Sequence, residues 1–223
     1  MISKNQHLTR QLDLIPLAIL DTPINLIGAG AIGSFTALAL AKMGFTNITA
    51  IDFDTIDVEN MNCQFYRFKD IGKPKVQALQ ELIEDFTGIE INAVNDMWNG
   101  AILEGITICA VDNMKVRKEI FETHGRKAFN TKAIIDPRMG AETALMFSYS
   151  PISPSELEDY KTTLYSDENA IQERCTAKST MYTACMLSGL VAKTVKNILC
   201  DEESSKNLMW DINKDDMCTL KRG

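Results

Sequence analysis

Paired cysteines are missing from this chain. Six are present, at positions 63, 109, 175, 185, 200 and 218, and no two form a CxxC pair. A thiolate zinc site therefore has no support, and no zinc is expected. Missing too is an apolar run long enough to cross a bilayer: the longest near-apolar stretch, Met181 to Ala192, is short and flanked by lysines. No signal-peptide hydrophobic segment follows Met1, so a reducing cytoplasm is expected, with most thiols inert in the core, Cys109 and Cys185 among them. Excess positive charge is absent as well. With 23 basic against 30 acidic side chains the net charge is −7, which argues against a general nucleic-acid or anionic-membrane surface but allows a local phosphate site. Twelve glycines, no internal repeat and no Gly/Ser/Pro linker exclude a collagen-like or tethered architecture. What is there, 223 residues with 45% apolar content, suits one α/β domain with a filled core.

The pattern along the chain alternates strand and helix. Residues 24–27 (Ile-Asn-Leu-Ile) read as a short buried strand running into Gly28-Ala-Gly30-Ala-Ile-Gly33. Ser34 to Met43 follows at helical spacing with Gly44 as its stop, and Ile48 to Phe53 is the next strand. Strand, glycine turn, helix, strand is a βαβ unit with a parallel pair and a right-handed crossover. Further on, helices are expected over Lys73–Phe86 and Met114–His124, and strands over Ile89–Val94, Ile106–Val111 and Ala133–Asp136. Thr143–Ser150 alternates like an antiparallel strand, Pro151–Arg174 reads as a long crossover loop with one helical turn, and Thr176–Leu199 as a long helix. A polar tail with a short apolar run, Leu208–Ile212, closes the chain. The expected fold is a doubly wound, Rossmann-like, mostly parallel sheet with a C-terminal antiparallel extension and a long crossover loop. It divides into an N-terminal helical arm (1–22), a nucleotide-binding core (23–150), the crossover loop (151–175) and a C-terminal helix and tail (176–223).

Gly28, Gly30 and Gly33, between a strand and a helix, allow a tight turn and close approach of backbone N–H groups to a phosphate. Asp52 ends the second strand, where a carboxylate can hold ribose hydroxyls. These residues alone fit an NAD enzyme and an ATP enzyme equally well.

The next stretch separates the two. Asp52-Phe-Asp54-Thr-Ile-Asp57-Val-Glu59-Asn60-Met-Asn62-Cys63-Gln64, followed by Asp70-Ile-Gly72-Lys73-Pro74-Lys75, closely resembles the ThiF/MoeB superfamily, the adenylating domains of ubiquitin-activating-type enzymes. Ala110-Val-Asp112-Asn113 before a helix with Arg117 matches as well, and His7-Leu-Thr-Arg10-Gln11 is similar to the family's Ser-Arg-Gln segment. The resemblance runs from about Arg10 to Leu199. It implies attack of a substrate carboxylate on the α-phosphate of ATP, giving an acyl adenylate and pyrophosphate, with ATP and Mg²⁺ as cofactors. The substrate it implies is the C-terminal glycine of a small ubiquitin-like or sulfur-carrier protein. In that scheme Asp52 takes the ribose hydroxyls, Asp54, Asn60 and Gln64 lie by the ribose and phosphates, and Lys75 contacts phosphate as a point charge. Asp112 binds Mg²⁺ through oxygen. Arg10 reaches the nucleotide site of a partner subunit, which implies a homodimer. The bland alternatives are a surface role for Lys75 and Arg10 and an N-cap role for Asp112.

One departure stands out. The family's Asn-x-x-Arg-Gln reads Asn60-Met-Asn62-Cys63-Gln64 here, so a phosphate-binding arginine is a cysteine. Arg67 and Arg138 are candidates to replace it; the alternative makes both ordinary ion-pair arginines. Cys175-Thr-Ala-Lys178 is similar to the Cys-Thr-x-Lys segment that holds the thioester cysteine of ubiquitin-activating enzymes, which implies Cys175 as the nucleophile that accepts the acyl group. At the start of a helix near Arg174 and Lys178 its thiol would be acidified. The competing readings are adenylation of a peptide or tRNA-borne carboxylate, and a catalytically silent partner subunit. A nicotinamide oxidoreductase ranks last, since nothing supplies a hydride-transfer site.

Overall fold

In a computed structural model, residues 6–125, 127–165 and 179–220 are described. Eight strands form one sheet in the order β3-β2-β1-β4-β5-β6-β7-β8. The parallel half consists of β1 (Ile24–Ile27), β2 (Ile48–Ile51), β3 (Asn92–Val94), β4 (Gly105–Cys109) and β5 (Thr131–Gly140). The antiparallel half adds β6 (Thr143–Tyr149), β7 (Asn207–Asp211) and β8 (Asp216–Thr219).

Each parallel strand sends alternate side chains into two cores, as a period-two backbone must. Ile24, Leu26, Ala50, Ile106, Ile108 and Ile135 join helices α1 (Ala31–Lys42), α2 (Lys75–Thr87) and α5 (Met181–Leu199) on one face. Ile27, Ile51, Cys109 and Ile134 meet α3 (Met114–His124) and α4 (Pro154–Lys161) on the other. Helices on both faces explain why β1 and β4 are buried at every position, the polar Asn25 and Thr107 included. Burying one such Leu or Ile side chain contributes about 2 kcal/mol. The order places β1 between β2 and β4, so the chain reverses direction across the sheet at β1. Ligand crevices of open α/β sheets lie at the C-terminal ends of the strands flanking such a point.

The doubly wound expectation therefore holds, with shifted boundaries. The first helix begins at Ala31 rather than Ser34, because the glycine turn is itself the helix entry. β2 stops at Ile51, short of Phe53, since Asp52 turns its carboxylate back onto neighbouring N–H groups. β4 ends at Cys109, two residues before Val111. β3 is shorter than expected and β5 longer, the latter because it continues past the parallel ladder into a hairpin pairing Ile134 with Tyr149 and Gly140 with Thr143. In the crossover, Pro154–Lys161 is an eight-residue helix rather than a single turn. α5 begins at Met181: Ser179 pairs with Ala141 and Thr180 stands at the N-cap. Among its described residues, the N-terminal arm contains two 3₁₀ turns, Gln6–Gln11 and Leu17–Ile19. Its Leu8 packs on Gly44 so closely that an added Cβ would lie 2.9 Å away, and Gln11 Nε2 donates to the Met43 carbonyl at 2.6 Å.

Candidate active site

Three loops converge at the C-terminal ends of β2, β1 and β4. Gly28 has φ +96°, and a Cβ there would lie 2.4 Å from the Ala110 carbonyl oxygen. A Cβ on Gly33 would lie 2.0 Å from the Gly28 oxygen. These two glycines allow loop and helix to close on each other. Gly30 differs: among the described residues beyond its own turn, no atom lies within 4 Å of its Cβ position, leaving a backbone face open at the α1 N-terminus, where N–H groups favour an anion. Asp52 is fixed against the turn, its Oδ2 accepting from the Ala29 N–H at 2.7 Å and its Oδ1 from the Asp54 N–H at 2.8 Å.

Lys75 opens α2 behind Pro74, as the sequence suggests, and is buried rather than a surface charge. Its Nζ pairs with Asp54 Oδ2 at 2.6 Å, while its N–H donates to the Asp54 carbonyl at 2.9 Å. The buried cation is thus held against an Asp that is half exposed. Asn60 closes a capping box with Asp57, its Oδ1 accepting the Asp57 N–H at 3.1 Å. Gln64 follows with a buried Oε1 that has no hydrogen-bond partner among the described residues. Cys63 is buried; burial pushes its thiol up, opposed by a hydrogen bond with Ser179 and by the Lys75 charge.

Asp112 is exposed just beyond β4. It is not the helix cap: Asn113 is, its side chain accepting from the Val116 N–H at 2.9 Å, which leaves the Asp112 carboxylate for other work. Arg117, on α3, steadies this loop by donating to the Val111 carbonyl. The same guanidinium donates from Nε to Asp136 Oδ1 at 2.9 Å. Asp136, fully buried, also accepts from Arg138 Nε at 2.8 Å and Nη2 at 2.6 Å, and from the Tyr160 hydroxyl at 2.7 Å. Arg138 spends its remaining capacity on the Thr163 carbonyl at 2.9 Å and hydroxyl at 3.1 Å, and lies over the Phe147 ring.

The two arginines considered as replacements for the guanidinium missing at position 63 are therefore both engaged. Arg67 binds Asp70, Glu81 and Asp85 with its three nitrogens. Taking a phosphate would require either of them to leave these carboxylates. Arg10 is exposed on the first 3₁₀ turn, and Cys175 lies outside the described residues. The helix start invoked to acidify that thiol is at Met181, six positions later. Cys185, expected in the core, is partly exposed, whereas Cys109 is buried and its thiol pushed up to about 12, chiefly by burial. Among the described residues, no three His, Cys, Asp or Glu side chains converge as a metal site. No described helix is long and apolar enough to cross a membrane.

Some residues at the site carried no sequence signal. The Tyr66 hydroxyl donates to the Ala29 carbonyl at 2.6 Å, and Ser34 Oγ, buried in the first turn of α1, accepts from the Phe65 N–H at 3.0 Å. Both depend on the 60–66 segment folding back onto the glycine turn, which no local pattern encodes.

The ThiF family profile matches residues 15–220. A NEDD8-activating enzyme E1 catalytic subunit from Caenorhabditis elegans is 36% identical over 110 residues, 46% of this chain and 26% of that protein. Yeast (Saccharomyces cerevisiae) tRNA threonylcarbamoyladenosine dehydratase 2 is 26% identical over 121 residues, 47% of this chain and 27% of that protein. The chain thus matches about a quarter of the length of these relatives. Among solved structures, Escherichia coli MccB with ATP superposes with a TM-score of 0.77 at 17% identity, over 98% of this chain and 72% of that one. PaaA superposes with a TM-score of 0.77 at 16% identity, over 96% and 72%. These two likenesses establish the fold. With the family pattern spanning nearly all of the chain and the doubly wound sheet in place, the chain belongs to the ThiF family.

Proposed function

We propose that this protein uses ATP to adenylate the C-terminal glycine carboxylate of a small ubiquitin-like or sulfur-carrier protein and then passes the acyl group to Cys175. The observation that carries the reading is the convergence of the glycine turn, Asp52 and the Asp112 loop on one sheet edge, with buried Lys75 behind them. Two anions must meet in this reaction, so the site has to align them and neutralise charge. The open N–H face at Gly30 suits the phosphates, and Asp52 is anchored where it can meet ribose hydroxyls. Lys75 trades Asp54 for phosphate as a point charge. Asp112 offers an exposed carboxylate, the hard oxygen donor that suits Mg²⁺ alongside phosphate oxygens, and it is the residue of this chain that would hold the ion. When bound, Mg²⁺ supplies charge neutralisation. A carboxylate oxygen of the carrier attacks the α-phosphorus as the bond to pyrophosphate breaks. The Cys175 thiolate then attacks the acyl carbonyl, forming a thioester and releasing AMP.

Relatives and neighbours support the reaction class: one is named a NEDD8-activating subunit, and MccB has been captured with ATP and with MccA. A homodimer in which the exposed Arg10 of one copy serves the other's nucleotide is part of the proposal, as is a cytoplasmic setting. The second reading, a silent partner subunit, is favoured by Cys63 and by the carboxylate pairs on Arg67 and Arg138. The test for the second step is an adduct assay with ATP and a Gly-terminated carrier. The wild type is expected to form a DTT-sensitive conjugate and Cys175→Ala none; a wild type that forms no conjugate rejects the thioester step.

A further inference from the structure

Phosphate recognition by a glycine turn depends on where its N–H groups aim. The Ala29 residue is completely buried and clamped at both ends: its N–H donates to Asp52 Oδ2 at 2.7 Å, and its carbonyl accepts from the Tyr66 hydroxyl at 2.6 Å. A trans peptide is planar, so the Ala29 carbonyl and the Gly30 N–H belong to one rigid unit and point in opposite directions. Fixing the oxygen therefore fixes the N–H. Among the described residues beyond its own turn, no atom lies within 4 Å of a Cβ placed on Gly30.

We propose that Tyr66 is a positioning residue for phosphate recognition: its hydroxyl, by holding the Ala29 carbonyl, aims the Gly30 N–H into the anion site. The proposal rests on the nucleotide reading above and deepens it. The phenol is itself well anchored. Its segment is tied down by the Gln64 N–H on the Asn60 carbonyl at 3.0 Å and by the Phe65 N–H on Ser34 Oγ at 3.0 Å. Burial, with the Asp52 carboxylate nearby, pushes the Tyr66 hydroxyl well above its ordinary value, so it remains a protonated donor across the physiological range. Asp52 and Tyr66 thus hold the two ends of one residue. In a chain with Cys63 where the family has a phosphate-binding arginine, an accurately aimed backbone donor matters more, because it must carry binding that a bidentate guanidinium would share.

The test is Tyr66→Phe, which removes one oxygen and keeps the ring. Binding of ATP, AMP and adenosine to wild type and variant is compared by calorimetry, with thermal melting of both proteins alongside. The expected result is ATP and AMP weakened about five-fold, the scale of one lost neutral hydrogen bond, with adenosine affinity and the fold retained. Equal affinities for all three ligands in the two proteins overturn the proposal. So does a parallel loss for adenosine and ATP, or a variant that fails to fold, since either makes the hydroxyl a general structural support. A wild type that binds no adenine nucleotide instead rejects the nucleotide reading itself, a distinct outcome.

Discussion

At the scale of single residues, the partner decides what a titratable group does. His124 is fully buried at the end of α3, with Nδ1 on the Ile120 carbonyl at 3.0 Å and Nε2 accepting from the Leu103 N–H at 3.1 Å. Burial pulls its pKa below the ordinary 6.5, because a charged imidazole there loses water and the Leu103 bond needs an unprotonated nitrogen. The unfolded chain then binds more protons than the folded one below that ordinary value. The contribution of His124 is therefore complete above about pH 6.5 and is lost as pH falls towards its lower folded value. Urea unfolding between pH 8 and 5 is expected to show this decline, and His124→Asn to flatten it. The candidate site divides in the same way. Gly28, Gly33, Asp52 and Lys75 could be placed from their neighbours in sequence, since strand–turn–helix geometry is local. Asp112 gained its freedom only because Asn113 takes the cap. Tyr66 had no sequence signal at all, because its partner lies 37 positions away.

Elements were legible where both of their ends carry local signals. α3 runs over the residues its pattern suggests, with Asn113 capping one end and Gly125 following the other. α5 begins only at Met181 because Ser179 and Thr180 are recruited by the β5–β6 turn at Ala141, a tertiary contact that overrides propensity. The long β5 has the same cause: it carries Asp136 and Arg138 beyond the parallel ladder, where one carboxylate joins three elements through Arg117, Arg138 and Tyr160. Burial opposes the charge on both arginines, but Asp136 and, more weakly, Tyr160 together hold them above the usual guanidinium value. Asp136→Asn leaves two buried cations without their anion, so denaturant unfolding should show a loss of about 3–5 kcal/mol. An Asn variant within 1 kcal/mol of wild type would mean that water or a rearranged carboxylate replaces this hub.

For the whole molecule, topology converts short motifs into a site. Segments around residues 28, 52 and 112 are far apart in sequence and adjacent only because β2, β1 and β4 are neighbours in one sheet. The alternation of strand and helix made that order legible. Asp70 and Asp136 lie within three positions of Arg67 and Arg138, but their remaining partners, Glu81 and Asp85 on α2 and Thr163 after α4, follow packing rather than spacing along the chain. The chain's net charge of −7 is compatible with the proposed phosphate site, whose proposed cation, Lys75, is buried and paired with Asp54. Chemistry at that edge is the central claim, and carrier-dependent ATP–pyrophosphate exchange measures it most directly. Wild type should exchange label when a Gly-terminated carrier is supplied, with Lys75→Ala and Asp112→Asn reduced about a hundredfold or more, the scale of losing one charge-stabilising group. Exchange unaffected in both variants, or absent from the wild type with every carrier offered, would contradict it.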